Sequence, residues 1–181
     1  MLHTTKRAAS RVTSNRLMTA APVLDPYLVG DAGLSLASLR SAYREAALSP
    51  RRLLHALLQR ARQLNDEYHV YIELLDEAAL EPYLQRLEAA DPSRLPLYGV
   101  PFAIKDNIDL AGVLTTAACP GYAYRPERSA SVVQRLIELG AVPTGKTNLD
   151  QFATGLNGLR SPYGGCRNSV LPAYPSGGSS S

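Results

Sequence analysis

From Leu34 onward, apolar residues recur at three- and four-residue spacing. Leu36, Leu39 and Tyr43 predict a helix that closes before Ser49-Pro50. Ser49 suits an N-cap and Pro50 the first helical position, where the missing N–H would have had no partner. The next helix carries Leu53, Leu54, Leu57, Leu58, Ala61 and Leu64 on one face. Arg51, Arg52, Arg60 and Arg62 lie mostly off that face, which reads as solvated rather than as a binding patch. A short apolar stretch from His69 to Leu75 fits a strand or an extended link. Helical period returns over residues 76–90 through Leu80, Tyr83, Leu84 and Leu87, until Asp91-Pro92-Ser93 breaks it.

The second half changes character. Residues 97–104 (LYGVPFAI) read as a buried strand that runs into the charged turn Lys105-Asp106-Asn107. Residues 131–139 predict a helix with a Ser131/Gln134 capping box and Gly140 as its stop, and residues 141–144 predict a short strand. Strand, helix, strand in that order argues for parallel pairing in an α/β layer. From Gly145 to Ser181 the chain is rich in Gly, Ser, Asn and Pro, and by composition its last six residues, SGGSSS, would pass for a flexible linker. There are no internal repeats.

Composition narrows the classes. The chain has 181 residues, 45% hydrophobic and 19% charged, the balance of one globular domain, and no run of about 18 apolar residues that would span a membrane. Its net charge of +3 comes from the front: residues 1–24 hold Lys6, Arg7, Arg11 and Arg16 without an acid, leaving fifteen basic against sixteen acidic side chains. The body therefore has no basic face for nucleic acid. The leader, residues 1–30, is expected to be disordered, though its Ser/Thr-rich, acid-poor make-up also suits a transit peptide or a start placed too far upstream. Cys119 and Cys166 lie 47 positions apart with no CxxC spacing, which fits two thiols in a reducing compartment rather than a zinc site or a disulfide framework. His3, His55 and His69 have no second ligand at metal spacing and read as structural or exposed.

Two motifs could carry chemistry. Residues 140–147 (GAVPTGKT) satisfy the phosphate-loop pattern GxxxxGK[ST], but that loop must follow a strand and open a helix. Here a helix leads in, a strand follows, and Pro143 removes an N–H the cradle needs. The second motif joins Lys105, at the end of an apolar strand, with the GGSSS run of residues 177–181. Loss of hydration disfavours an ammonium, and a neutral amine can take a proton from a serine hydroxyl. Glycines beside the serine let backbone and hydroxyl approach a substrate closely. A non-catalytic interaction module built on the two amphipathic helices 50–64 and 76–90 is a third reading.

Five ordered blocks then resemble the amidase-signature family from about Leu34 to the last residue: GVPFAIKDNID (99–109), TTAACPGYAY (115–124), GAVPTGKTNLDQFATG (140–155), RSPYGG (160–165) and SGGSSS (176–181). Within that family the TTAACP, KTNLDQFATG and RSPYG flavour is most like the allophanate hydrolases, which release ammonia and carbon dioxide in urea breakdown. The alternative is another member, such as a glutamyl-tRNA amidotransferase A-like subunit. The resemblance implies an α/β fold, with residues 31–181 as the N-terminal portion of a mixed-sheet core flanked by helices. It also implies amide hydrolysis through an acyl-serine by a Ser, cis-Ser, Lys triad, with no metal and no cofactor. Lys105 matches the general base and Ser179 the middle serine, preceded by a cis peptide bond. Lys146 and Thr147 match structural positions. The acylating serine and the oxyanion amides belong to a Gly-rich stretch beyond residue 181, so this portion alone is expected to be inactive, and its substrate-binding residues are undefined. The implied partner is a small-molecule amide in the cytoplasm, without nucleic acid or membrane, and a homodimer of the full-length protein stays open.

Overall fold

The computed structural model describes residues 34–180. The basic leader, with Lys6, Arg7, Arg11, Arg16 and His3, lies outside the described residues, as does Ser181.

The first three helices are each begun by a side-chain cap. In α1 (Leu36–Arg44) Ser35 Oγ accepts from the Ser38 N–H at 3.1 Å. In α2 (Pro50–Tyr68) Ser49 Oγ accepts from the Arg52 N–H at 3.2 Å, with Pro50 opening the helix as its sequence suggests. His69 ends α2 in the left-handed conformation at φ 52°, and its N–H closes on the Asn65 carbonyl at 2.8 Å. A short strand β1 (Tyr71–Leu74) leads to α3 (Glu77–Glu88), which Asp76 caps through the Ala79 N–H.

Strand β2 (Pro101–Lys105), helix α4 (Ser131–Glu138) and strand β3 (Val142–Thr147) complete the α/β layer. The sheet order is β1-β3-β2, with β2 parallel and β1 antiparallel to β3, so the expected parallel pair is present in a mixed sheet. The main core joins Leu54 and Leu58 of α2, Leu80, Leu84 and Leu87 of α3, Ile104, Val142, and Val133 and Ile137 of α4. A smaller cluster packs Leu39 and Ala42 of α1 against Leu48 and Leu53. The parts of the α2 and α3 faces that carry Leu54, Leu58, Leu80, Leu84 and Leu87 are thus spent inside this fold, while Ala61 and Leu64 stay partly exposed.

Some local expectations fail. Residues 97–100 form a turn instead of strand. Gly99 sits at φ 67° against Pro50 and Tyr43, leaving no room for a Cβ, while the Tyr43 hydroxyl donates to the Gly99 carbonyl at 2.9 Å. The capping box at α4 is absent, because Ser131 is already helical, the N-cap is Ala130, and Gln134 Nε2 donates to Glu138 instead. The arginines of α2 lie at the surface as expected, and two of them also make contacts there: Arg51 bridges Glu81 and Glu88 of α3 at 2.7 and 2.8 Å, and Arg62 donates to the Leu75 carbonyl at 3.2 Å.

Candidate active site

Lys105 and Ser179, seventy-four positions apart in the chain, meet in the folded protein. Nζ of Lys105 donates to Oγ of Ser179 at 2.9 Å, and both residues are half-buried. The Gly178–Ser179 peptide bond is cis. Strand alternation explains how Lys105 reaches the site: Ile104 points into the core, Lys105 to the opposite side, and the parallel register pairs Lys105 with Thr147 of β3.

The next residue, Asp106, anchors that strand end. Its side chain is sealed from water and ion-paired at 3.0 Å with Lys146 of β3, itself fully buried. Lys146 Nζ also donates to the Leu114 carbonyl and to Thr115 Oγ1, both at 3.0 Å, while Asp106 Oδ1 is held by the ion pair alone. The second carboxylate oxygen of Asp106 accepts from the backbone N–H of Thr116 at 3.0 Å and from the Thr116 hydroxyl. The Asp106 N–H donates to the Thr147 carbonyl, and its own carbonyl accepts from the Ala117 N–H. This network fixes the loop of residues 114–118 against the end of β2, and it gives Lys146 a structural task. The GxxxxGKT match is therefore no phosphate cradle: Gly145 and Lys146 lie inside β3, paired to β1.

Ser179 is held from the other side by Asp150. The Asp150 N–H donates to the Ser179 carbonyl at 3.1 Å, and Leu149 pairs with Ser180 in an isolated antiparallel bridge. Burial works against the ionised Asp150 carboxyl, but backbone N–H groups of Arg160, Gly158 and Asn157 outweigh it and hold the group below the usual carboxylate range. The TTAAC and LDQFA blocks are then stitched together: the Phe152 N–H donates to the Ala117 carbonyl at 2.9 Å and Gln151 Nε2 to the Ala118 carbonyl at 3.1 Å. Ala117, Ala118, Phe152 and Ala153 all have φ between 50° and 58°. Such left-handed non-glycine residues cost of order 1 kcal/mol or more each and persist where neighbours over-determine them. Four of them beside one lysine–serine pair mark this region as built for geometry.

Sequence reasoning misses Asp106, Asp150 and Thr116. The available signal is for Asp106 alone, an aspartate beside an apolar run, KDN after FAI, where an uncompensated charge would be expensive to bury. His69 is structural: its carbonyl accepts from Asn148 Nδ2 and Cys166 Sγ, both at 3.0 Å. His55 is exposed, 4.0 Å from Glu77. Neither cysteine is in a disulfide. Among the described residues no cluster of three His, Cys, Asp or Glu side chains could hold a metal ion, and no helix is long and apolar enough to cross a membrane.

Comparison with known proteins gives a match to the family described as Amidase over residues 52–181. The chain is 45% identical to urea amidolyase of Saccharomyces cerevisiae over 142 residues, 78% of this chain and 8% of that protein. It is 37% identical to the A-type subunit of the glutamyl-tRNA(Gln) amidotransferase of Gloeobacter violaceus over 153 residues, 80% of this chain and 31% of that protein. Among solved structures, selenomethionine-substituted allophanate hydrolase of Kluyveromyces lactis superposes with a TM-score of 0.71 at 43% identity, covering 81% of this chain and 24% of that one. The chain thus spans less than a third of the length of each of these relatives.

Proposed function

Because this chain belongs to the amidase family, we propose that it works in amide-bond hydrolysis, with Lys105 as general base and Ser179 as the relay to an acylating serine. The 2.9 Å hydrogen bond between Lys105 Nζ and Ser179 Oγ carries this reading. A proton can travel along that line in either direction. When the amine is neutral, Lys105 takes the hydroxyl proton of Ser179, whose oxygen takes the proton of the nucleophilic serine as that serine attacks the amide carbon. Collapse of the tetrahedral adduct breaks the C–N bond, and the same protons return through Ser179 to the departing nitrogen. Water then repeats the path on the acyl-serine. The acylating serine and the oxyanion donors are expected from chain beyond residue 181, so residues 31–181 supply the base-and-relay portion of the domain.

Allophanate is the proposed substrate, split to ammonia and carbon dioxide in the cytoplasm as a step of urea degradation. The greater identity to a urea amidolyase than to an amidotransferase, 45% against 37%, favours it over a glutamine-type amide. The test is ammonia release from allophanate by the full-length enzyme. Lys105→Ala and Ser179→Ala should each lower kcat by about 10²–10⁴-fold or more. Near wild-type turnover by Lys105→Ala would sink the assignment of the base, and preferred turnover of glutamine would move the substrate to the amidotransferase class.

A further inference from the structure

We propose that Asp150 is the positioning residue of Ser179, an inference that rests on the relay role proposed above. Asp150 stands at the N-cap of the short turn Gln151–Ala153, where an aspartate would ordinarily accept from an N–H of its own turn. It makes no such bond. Its carboxylate is directed to the loop of residues 157–160, taking the N–H of Arg160 at 2.8 Å on one oxygen and those of Gly158 and Asn157 at 3.0 and 3.3 Å on the other. With the side chain committed there and fully buried, the Asp150 backbone N–H is left facing the Ser179 carbonyl.

Gly178 shows how tightly the two segments are matched. A Cβ on it would run into the Asp150 carboxylate and the N–H groups of Gly158 and Asn157. Asp150, the 157–158 amides and the Gly178–Ser179 turn therefore form one packed unit, and on its far side Ser179 receives Lys105. The other end of the unit is tied to β3, whose Thr147 pairs with Lys105 only three residues before Asp150. Beside the direct Lys105–Ser179 hydrogen bond, Asp150 thus closes a second, main-chain path between base and relay, from Lys105 through Thr147 to the Ser179 carbonyl. It touches neither reacting atom, so it acts through Ser179.

The experiment measures kcat and KM of the full-length enzyme, well below its melting temperature, for Asp150→Asn and Lys105→Ala, with Leu84→Ala in the distant α3 core as a control of matched stability loss. An asparagine of the same shape turns an NH₂ toward backbone N–H groups, so the clamp loosens. Expected is a fall in kcat of about 10²-fold for Asp150→Asn with KM little changed, while Leu84→Ala melts earlier but keeps wild-type kcat per folded molecule. Wild-type kcat in Asp150→Asn, against a lost kcat in Lys105→Ala, overturns the positioning role and leaves the base intact. Activity retained in Lys105→Ala overturns the parent reading instead. If Asp150→Asn does not fold, Gly178→Ala probes the same contact from the serine side, and an unchanged kcat there also overturns the proposal.

Discussion

Lys146 lies 3.0 Å from the carboxylate of Asp106, and neither side chain is open to water. Hydrogen bonds from Thr116 to one Asp106 oxygen and from Lys146 to Leu114 and Thr115 offset part of the cost of burying the two charges, while the other Asp106 oxygen is held by the ion pair alone. Removing one partner leaves the other charge stranded. Lys146→Ala should destabilise the fold by about 3–5 kcal/mol. Urea denaturation checks the value; a loss below about 1 kcal/mol would mean that water reaches Asp106 and the network is looser than its geometry.

The same burial bears on nucleotides. With Lys146 inside the sheet, no ammonium is presented to a phosphate, so ATP or GTP with magnesium should leave the melting temperature where it was. A true site filled at about 100 times its dissociation constant would add about 2.7 kcal/mol. A thermal-shift titration reads this directly, and a nucleotide-dependent rise abolished by Lys146→Ala would restore the phosphate-loop interpretation.

Tyr124 offers a spectroscopic check on the loop beside Lys105. Its hydroxyl donates to Asp109 at 2.7 Å, and this bond, with a smaller contribution from burial and from the Asp109 charge, pushes the phenol up to about 12 from an ordinary 10.0. A raised folded value means that the bond stabilises the fold fully below pH 10 and that its contribution disappears as pH rises through about 12. Rapid alkaline titration of the wild type minus Tyr124→Phe, followed by phenolate absorbance, should show this group ionising near pH 12. Asp109→Asn should bring it back toward 10. A difference titration already centred at 10 would show that the hydroxyl is not bonded to Asp109.

Much of the scaffold is readable because its signals are local. Ser49-Pro50 announces α2 through one cap and one fixed φ, and the leucine spacing of α2 and α3 points to the face that fills the core. Strand edges are less legible. Residues 97–100 have strand-like hydrophobicity, but Pro50 and Tyr43, about fifty residues earlier, shape the backbone at Gly99. By its sequence β3 should stop at Thr144, yet it continues through Gly145, Lys146 and Thr147, whose backbone pairs with β1 and β2 while the Lys146 ammonium meets Asp106. The Lys105–Ser179 pair comes from family resemblance, since a lysine at a strand end and a GGSSS run are individually ordinary. Asp150 has no local signature, because its partners are main-chain amides, which any sequence supplies.

Lys105 and Asp106 are neighbours in sequence whose side chains serve opposite sides of one strand end, the first reaching Ser179 and the second sealed against Lys146. That division makes the phase of the strand indispensable. Inserting a single residue between Ile104 and Lys105 would turn the carboxylate toward the serine and drive the amine toward the buried side, since side-chain direction alternates every residue. Both errors would arrive together, and no repair at one position could undo the other. The distance of Lys105 and Asp106 from Ile104 is therefore as much a part of the site as their identities, and a homologue in which that distance has changed by one residue should have lost this chemistry or rebuilt it elsewhere.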